Sequence, residues 1–518
     1  MADGERAAVR RRRPGGCGGG VRVLGAAVSV LSVLVWLPAS GALALLGLPR
    51  RDGWLRGLAL AVMLGTLAVA AWLFAHFPRG EAGYWLGERV PWVPALGIAY
   101  HLGVDGISLP LVVLTAFLFP VALVGTWDAV RVRVKEYLVL LLLLEAAVLG
   151  TFLALDLVLF YVFWEAVLIP MYFLIGLWGS ERRSYAALKF FLFTMAGSVL
   201  MLLAIAGLYL STGTFDATQL SAAQVPPELQ PWLFAAFLVA FAIKVPLLPL
   251  HTWLPDAHTE APTAGSVILA GLLLKMGTYG IVRFCLGLFP EVSRAAAPAL
   301  MAVAALGIVY GAAVAYAQSD VKRLVAYSSV SHLGFVVLGT FALNPQGLSG
   351  ALLQMVNHGI STGGLFLLVG ILYERAHTRA VDAFGGVARV LPTFAALSLF
   401  VVFSSAALPG TNGFVGEFLV LLGTFRTDPR WAAVAAVGVV LSAVYLLWMV
   451  QRVYFGPPRP EVQRFAPLSL PERVALVSLV LAILWIGLYP KPWLVRSEAA
   501  VEAVVRRVQQ LPSAVGRP

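Results

Sequence analysis

Long apolar runs follow one another along almost the whole chain and are separated by short polar loops. About fourteen runs of roughly 18–25 residues can be counted, and they centre near residues 35, 65, 117, 145, 167, 200, 241, 274, 306, 332, 360, 405, 443 and 483. A helix of that length crosses the hydrocarbon core of a bilayer. No extended alternation of apolar and polar residues, typical of a membrane barrel, is present. The pattern therefore predicts an all-α, polytopic membrane protein with about fourteen transmembrane helices.

Two of these runs, the seventh and the twelfth, are interrupted. In the seventh, Pro246 and Pro249 follow Lys244; in the twelfth, Pro409 precedes Glu417. A broken helix is tolerated in a membrane only where it packs inside protein or lines water. Since the breaks lie five runs apart, runs 4–8 and 9–13 are predicted to form two five-helix repeats of inverted topology. An ordinary proline kink is the alternative for either run alone.

The repeat hypothesis divides the chain into five parts. They are a basic tail (1–20), three N-terminal helices (21–130), a first repeat (131–290), a second repeat (291–456), and a fourteenth helix with a C-terminal tail (457–518). The tail is of low complexity. We interpret it as a misassigned start, with translation beginning near Val21 or later; a secretory or twin-arginine signal is the alternative.

Composition supports the membrane prediction, because 60% of the 518 residues are hydrophobic and only 12% are charged. The formal net charge of +11 would indicate nucleic-acid binding in a soluble protein. Here most loop lysines and arginines fall in alternate loops, which is the positive-inside pattern. We therefore predict contact with a lipid bilayer and not with nucleic acid, in a bacterial inner membrane with both termini periplasmic. The arginines Arg10–Arg13 in the tail disagree with this orientation.

The sequence offers no redox centre. Cys17 and Cys285 are far apart, and no CxxC, CxxCH or four-cysteine ligand set is present. This pattern excludes an iron–sulfur cluster or c-type haem ligated by this chain. The glycine-rich GGCGGG follows no predicted strand, so it is no dinucleotide fingerprint. We expect this chain to bind no cofactor.

One polar segment, LPLHTWLPDAHTEAPT (248–263), contains side chains that are common metal ligands. They are His251, Asp256, His258 and Glu260. Their spacing matches no zinc motif such as HExxH. We therefore predict no metal site there, and expect an interrupted-helix turn at the interface whose polar groups cap the backbone.

Seven ionisable side chains lie near the centres of apolar runs. They are Glu145, Glu165, Lys244, Lys275, His332, His358 and Glu417. A charge at the bilayer centre costs about 2.5–3.5 kcal/mol on insertion scales and marks ion or proton pathways. Because these groups share one depth, the sequence predicts that all seven take part in proton transfer.

Glu165 is the natural partner of Lys244. At about 7 Å and an effective dielectric constant of about 20, the two charges attract by roughly 2.4 kcal/mol. Moving Glu165 away would favour release of the lysine proton, which a small helix shift could achieve. A snorkelling lysine is the alternative, but Lys244 lies about ten residues from either end of its run, too deep for its stem.

The other central groups could continue such a path. Lys275 has Gly271 and Gly277 beside it, which we expect to leave space for water. His332 and His358 can pass protons through either ring nitrogen. A structural ion pair for Lys275, hydrogen-bonded core positions for the histidines and a structural role for Glu145 are the alternatives.

Long motifs throughout the chain resemble those of the antiporter-like membrane subunits of proton-pumping NADH:quinone oxidoreductase, or respiratory complex I. The matching motifs are GVDGISLPL (103–111), FWEAVLIPMYFLIGLWG (163–179), AIKVPLLPLHTWLPDAHTEAPTAGSVILAGLLLKMGTYG (242–280), DVKRLVAYSSVSHLGF (320–335), NHGISTGGLFLLVGILYER (357–375) and LPGTNGFVGEF (408–418). The resemblance covers nearly all of the chain after about residue 28.

This resemblance implies roles for the central groups. Glu165 and Lys244 would form the pair at the proton channel, Lys275 would be the connecting group, and His332 and His358 would lie on the same polar axis. NADH, FMN, iron–sulfur clusters and quinone would be bound by other subunits. Related sodium/proton antiporters share the fold and many motifs, so a cation/proton antiporter subunit is the alternative function.

The last group distinguishes branches of the resembled family. In GFVGEF it is glutamate in the subunit M branch, whose mitochondrial counterpart is subunit 4, and usually lysine in the sister subunits L and N. Glu417 therefore implies the subunit M branch, with L, N and other membrane-arm subunits as partners.

Overall fold

The computed structural model describes residues 29–220 and 225–509. The basic tail, with Cys17 and the proposed translation start, lies outside these residues. Helices dominate the described part of the chain, as the apolar runs predict. The fold class, a helical polytopic membrane protein, is confirmed.

Twelve segments in the described residues are long and apolar enough to cross a membrane. Ten of them are single helices, nine of which are α1 (Val30–Gly47), α2 (Asp52–His76), α3 (Ser108–Gly125), α4 (Val134–Leu153), α7 (Arg183–Thr212), α13 (Pro290–Tyr316), α14 (Val321–Phe341), α15 (Pro345–Ala376) and α19 (Pro429–Tyr454). The others are α5 (Leu157–Ala166) joined to α6 (Leu168–Trp178), α20 (Leu470–Leu488), and the segment Thr263–Leu286.

The Thr263–Leu286 segment is built from alternating α- and π-helical turns. It runs through α11 (Thr263–Ile268), a π turn at Leu269–Leu273, α12 (Leu274–Gly280) and a second π turn at Ile281–Leu286. Wide turns of this kind are rare and are often found at functional sites. Lys275 lies in the short α-helical piece between them.

Two shorter apolar helices, α9 (Gln230–Lys244) and α17 (Pro392–Ser405), end at the predicted interruptions. Beyond each break the chain becomes helical again, in α10 (Trp253–Glu260) and α18 (Asn412–Thr427). If each broken pair forms one crossing, the chain crosses fourteen times, as the sequence predicts. That number remains a prediction.

Local contacts hold both breaks in place. After α9, Val245-Pro246 and Leu248-Pro249 are cis peptide bonds, and Trp253 Nε1 donates to the carbonyl of Ile243 at 2.8 Å. After α17, Gly410 has a φ of +91°, a left-handed conformation that glycine adopts without strain. Each unwound stretch is only partly buried in this chain, because Pro249 and Thr252 after α9 and Leu408 and Pro409 after α17 are exposed.

A recurring cap supports the predicted repeats. Asp156 accepts hydrogen bonds from the first backbone amides of α5, and Asp320 does the same for α14. Each aspartate also forms an isolated antiparallel bridge to a later loop, at Asp216 and Ala380 respectively. Since α5 and α14 open the fifth and tenth predicted crossings, the same device recurs after five crossings. The inverted repeats themselves remain a prediction.

The structure departs from an all-helical chain at one hairpin. Strands β1 (Trp85–Val93) and β2 (Ile98–Val104) pair antiparallel between α2 and α3, with Gly97 at a φ of +71° in the turn. The sequence analysis does not predict this hairpin. The surface that carries this hairpin is called the hairpin side below.

A charged cluster holds the hairpin down. His101 Nδ1 lies 3.2 Å from Asp216 Oδ2, and Arg89 is 3.7 Å from the same carboxylate. Burial alone would raise the pKa of Asp216, but hydrogen bonds from His101 and Thr218 hold the pKa at about 2. The loop after α7 is thereby tied to β2.

The C-terminal tail also contains an element that the sequence analysis missed, the helix α21 (Lys491–Gln509). Its buried residues Trp493, Ser497, Ala500 and Val501 recur at helical spacing. Arg496 Nε donates to the carbonyl of Phe74 at 2.6 Å, so α21 lies on the hairpin side. Three minor helices, α8 (Ala217–Leu220), α16 (Val387–Val390) and the 3₁₀ turn Val381–Ala383, occupy loops.

Burial separates the helices into inner and outer sets. In Thr263–Leu286 and α15 the most apolar stretch is completely buried, whereas only 39% of that stretch is buried in α7 and α19. The outer helices expose leucine and valine, the surface expected against lipid or other membrane subunits. The inner helices hold most of the ionisable groups predicted from the sequence.

Candidate functional site

Lys275 occupies the centre of the buried segment. Its Nζ lies 2.6 Å from His358 Nδ1 on α15 and also donates to the carbonyl of Ala270. That carbonyl belongs to the wide turn Leu269–Leu273. Both Lys275 and His358 are buried, so their hydrogen bond lies away from bulk solvent.

The chain of contacts continues from His358 to α18. Its ring centroid is 5.9 Å from that of His332, and His332 Nδ1 is 3.0 Å from Glu417 Oε1. Gln354 Nε2 donates to the same carboxylate oxygen at 3.1 Å. Four of the predicted residues thus form a row, called the central row below: Lys275, His358, His332 and Glu417.

Glu165 and Lys244 lie close together but do not touch. No ion pair within 4.0 Å joins them, and no hydrogen-bond partner of Lys244 Nζ occurs among residues 29–220 and 225–509. Instead the ammonium lies 5.0 Å from the ring centroid of Trp164 and 5.8 Å from that of Phe190. Glu165 still acts electrostatically on Lys244. The aromatic rings provide a cation–π environment that partly offsets the lost hydration.

Glu145 is fully buried on α4, and neither carboxylate oxygen has a hydrogen-bond partner in the described part of the chain. The contacts do not join it to the central row. A buried carboxylate without partners is costly if ionised. Its predicted participation in proton transfer remains a prediction.

The space expected beside Lys275 is not there. A methyl group added at Gly271 would lie 2.5 Å from Leu118 Cδ1, and one at Gly277 would lie 2.8 Å from the carbonyl oxygen of Phe241. The prediction of water beside these glycines is therefore wrong. They permit close packing against α3 and the end of α9, as small residues do between membrane helices.

The polar segment after the first break mostly forms interfacial contacts. Asp256 forms an ion pair with Lys189 at 2.6 Å, and Glu260 accepts a hydrogen bond from the backbone amide of Arg182 at 2.9 Å. Arg379 reaches Glu260 at 4.0 Å and Asp320 at 3.2 Å. In the described ranges, no group of three or more His, Cys, Asp or Glu is arranged to hold a metal.

Two further buried groups differ from what the sequence predicts: His258 was expected to cap the backbone of an interfacial turn, and Lys322 is not among the predicted central groups. His258 is completely buried, its ring stacks on Phe366 at 4.5 Å, and neither ring nitrogen has a partner among the described residues. Lys322 is buried in the first turn of α14 and donates to the carbonyl of Ala261 at 2.5 Å. His258 lies within electrostatic range of both Lys322 and Lys275.

Lys322 also lines a cavity of about 420 Å³ on the side opposite the hairpin. Other lining residues include Tyr137, Trp178, Thr263, Glu374 and Arg379. The signal that could have identified Lys322 is the aspartate cap at Asp320, because it starts the helix before the lysine. The structure thus brings a surface cavity, Lys322 and His258 towards the central row.

Comparisons with known proteins identify the family of this chain. Residues 154–442 match the family described as "NADH:quinone oxidoreductase/Mrp antiporter, TM". NADH-quinone oxidoreductase subunit M of Rhodobacter capsulatus is 44% identical over 481 residues, which cover 89% of this chain and 93% of that protein.

Solved structures show the same fold. A chain of respiratory complex I from Thermus thermophilus with bound NADH superposes with a TM-score of 0.85 at 36% identity, covering 92% of this chain and 99% of that chain. A chain of the Mrp complex from Dietzia sp. DQ12-45-1b gives a TM-score of 0.84 over 93% of this chain and 99% of that chain, but at 22% identity it shows the fold alone. The chain therefore belongs to the subunit M family of NADH-quinone oxidoreductase, whose members are antiporter-like membrane subunits.

Proposed function

We propose that this chain is a proton-translocating membrane subunit of NADH:quinone oxidoreductase, in which electron transfer in other subunits drives protons through the central row. The observation that supports this most strongly is the row itself. Lys275, His358, His332 and Glu417 come from four different helical segments and meet in the most buried part of the protein. Ionisable groups that converge inside a membrane bundle mark a pathway.

Each contact in the row suits proton transfer. Lys275 can give a proton to His358 Nδ1 across their hydrogen bond, and His332 can give one to Glu417. The step between the two imidazole rings spans 5.9 Å between centroids, so it needs a bridging water. An imidazole that receives a proton on one nitrogen can release one from the other.

The drive would come from Glu165 and Lys244. A rearrangement that begins in the redox subunits would reach this chain through a neighbour and change the separation of the two charges. Because they attract by roughly 2.4 kcal/mol at about 7 Å, drawing Glu165 away favours release of the Lys244 proton towards Lys275. Glu145 would serve in the same relay near the neighbouring subunit.

Protons would be supplied from the side opposite the hairpin. The cavity of about 420 Å³ reaches Lys322, and His258 lies within electrostatic range of that lysine and of Lys275. A buried histidine without hydrogen-bond partners is poised to take part in a water-mediated relay. This arrangement supports a second point of proton uptake besides Lys244.

The assignment carries further proposals about the assembly. NADH, FMN, iron–sulfur clusters and quinone would be bound by other subunits, and the sister subunits L and N would flank this chain. The enzyme would lie in a bacterial plasma membrane with the hairpin side facing the periplasm. The basic loops on the opposite side support that orientation.

The test is to substitute Glu165 and Lys244 in the complete enzyme. Lys244→Ala and Glu165→Ala should abolish proton pumping by enzyme reconstituted in liposomes, and slow NADH:quinone oxidoreduction. Lys491→Ala, which removes an exposed lysine at the start of α21, should leave both activities unchanged. Full proton pumping by the Lys244→Ala enzyme would contradict the proposed function.

A cation/proton antiporter subunit is the second candidate, because the description of the matching family also names Mrp antiporters. Genes encoding NADH- and quinone-module subunits beside this one would support the first candidate, and other antiporter subunits would support the second. Sodium-driven proton exchange by the purified assembly, without NADH oxidation, would decide for the antiporter.

A further inference from the structure

A second buried cluster lies on the hairpin side, around the guanidinium of Arg283. Its Nη2 is 2.6 Å from Asp105 Oδ1, its Nη1 donates to the Tyr84 hydroxyl at 3.1 Å, and its Nε donates to the Tyr279 hydroxyl at 3.2 Å. The guanidinium carbon also lies 5.3 Å from the ring centroid of each tyrosine. One cation is thus fixed on three sides.

Arg283 stands on the same helical segment as the central lysine. Lys275, Tyr279 and Arg283 follow at intervals of four residues, which places them near one face of the segment. The axial distance from the lysine to the arginine is about 12 Å at 1.5 Å per residue. Tyr279 is completely buried between them, and its hydroxyl donates to the carbonyl of Phe152 at 3.2 Å.

A cavity of about 280 Å³ leads in from the surface towards this cluster. Its lining includes Tyr84, Asp105 and Arg283, and the exposed Ala82 lies at its outer end. Tyr279 does not line the cavity. Arg283 and Asp105 therefore stand between the cavity and Tyr279, which lies four residues from Lys275.

We propose that Arg283 is an electrostatic plug that closes the path from the hairpin-side cavity through Tyr279 to the central row. Arginine suits this task because its guanidinium does not lose its proton in proteins, so it cannot relay one. A fixed positive charge within about 4–6 Å disfavours protonation of a neighbouring group by roughly ten- to thousandfold. Asp105 and the two tyrosines hold the charge in place.

The plug rests on the proposed pump function and adds its direction. With the hairpin side facing the compartment that receives protons, an open path from the cavity to Lys275 would return them to the row. The Arg283 cation prevents that return flow while leaving the row intact. Arg283 would therefore prevent protons that have been released on the hairpin side from flowing back to the central row.

The test measures passive proton flow through the complete enzyme in liposomes without NADH. Arg283→Gln should increase the rate of passive proton flow roughly tenfold, the low end of the range expected for removal of one charge, and reduce the proton gradient held during turnover. Arg283→Lys keeps the charge on an amine that can lose its proton, so it should leak less than Arg283→Gln but more than the wild type. Arg496→Gln, at another buried arginine on the hairpin side, is the matched control and should not leak.

A double variant separates a plug from loosened packing. Lys275→Met added to Arg283→Gln should return passive flow to the wild-type rate, because the path would end at the missing amine. A leak that persists in the double variant, an equal leak in Arg283→Lys, or no leak in Arg283→Gln would overturn the plug. Normal pumping by the Lys244→Ala enzyme would instead overturn the proposed function and leave the leak result interpretable.

Discussion

His358 differs from His332 in how its two ring nitrogens are engaged. Nδ1 contacts Lys275, whereas Nε2 has no hydrogen-bond partner among the described residues. In His332 both nitrogens are engaged, by Glu417 at 3.0 Å and by the Tyr445 hydroxyl at 3.3 Å. The open nitrogen of His358 is therefore where the row must be completed, by a water molecule or by rotation of the ring.

The residue most sensitive to substitution in the row should be His358. His358→Ala removes the acceptor of the Lys275 proton and leaves that ammonium buried without its partner. Since a positioned acid–base group typically contributes about 10²–10⁴-fold, we expect proton pumping per NADH oxidised to fall below detection in proteoliposomes.

His377→Asn provides the control, because His377 ends the same helix in a left-handed conformation that asparagine also adopts. It should leave pumping unchanged. Wild-type pumping by His358→Ala would remove this histidine from the route.

At the scale of helices, close packing and not hydration surrounds the central lysine. The carbonyl of Phe241 and the backbone nitrogen of Val245 would lie 2.8 and 3.0 Å from a methyl group at Gly277. The lysine segment is thus seated directly on the end of α9, one residue from Lys244. Movement of the first broken helix must therefore press on the segment that carries Lys275.

Gly277→Ala should accordingly destabilise the assembled enzyme. Overpacking against backbone atoms cannot be relieved by a side-chain rotation, and such insertions cost about 1–3 kcal/mol. We expect earlier thermal inactivation of NADH:quinone oxidoreduction and less assembled enzyme per cell.

Gly307→Ala is the matched control, since nothing lies within 4 Å of its added methyl group. Alanine is a better helix former than glycine by about 1 kcal/mol, so this variant should be as stable as the wild type or more stable. Equal destabilisation by both variants would show that the contact at Gly277 is unimportant.

The sequence predicts these elements unevenly, for physical reasons. Lys275, His358 and His332 stand out because charge is rare at the centre of apolar runs, and the structure does bring them together. The separation of Glu165 from Lys244 depends on how Trp164 and Phe190 pack around the ammonium, which no spacing reveals. The β-hairpin was missed because its pairing is between two short strands in a gap that lacks long apolar runs.

At the scale of the whole molecule, the two surfaces differ in how they approach the centre. The side opposite the hairpin has a cavity of about 420 Å³ that reaches Lys322, whereas the hairpin-side cavity of about 280 Å³ ends at the Arg283–Asp105 pair. One approach thus ends at a buried lysine amine, and the other at a guanidinium that keeps its proton. That asymmetry suits transport in one direction.

The orientation of these surfaces can be tested by cysteine labelling. In a Cys17→Ser background, Ala82→Cys on the hairpin side should react with a membrane-impermeant maleimide added to the periplasmic face. Asp382→Cys, whose side chain is exposed on the opposite side, should react only after the membrane is permeabilised. Cys285 is buried and should stay unlabelled. The reverse pattern would contradict a periplasmic hairpin side.

The two π turns that flank α12 would allow this short helix, which carries Lys275, to rotate about its axis. A π turn holds one residue more than an α turn, so passing that residue from one turn to the other would rotate the piece between them by about 100° without unwinding the helix. The Lys275 amine would then lose its contact with His358, and proton transfer along the central row would stop until the helix rotated back. Such a rotation needs no hinge, so it would let the completely buried Lys275 exchange His358 for another contact.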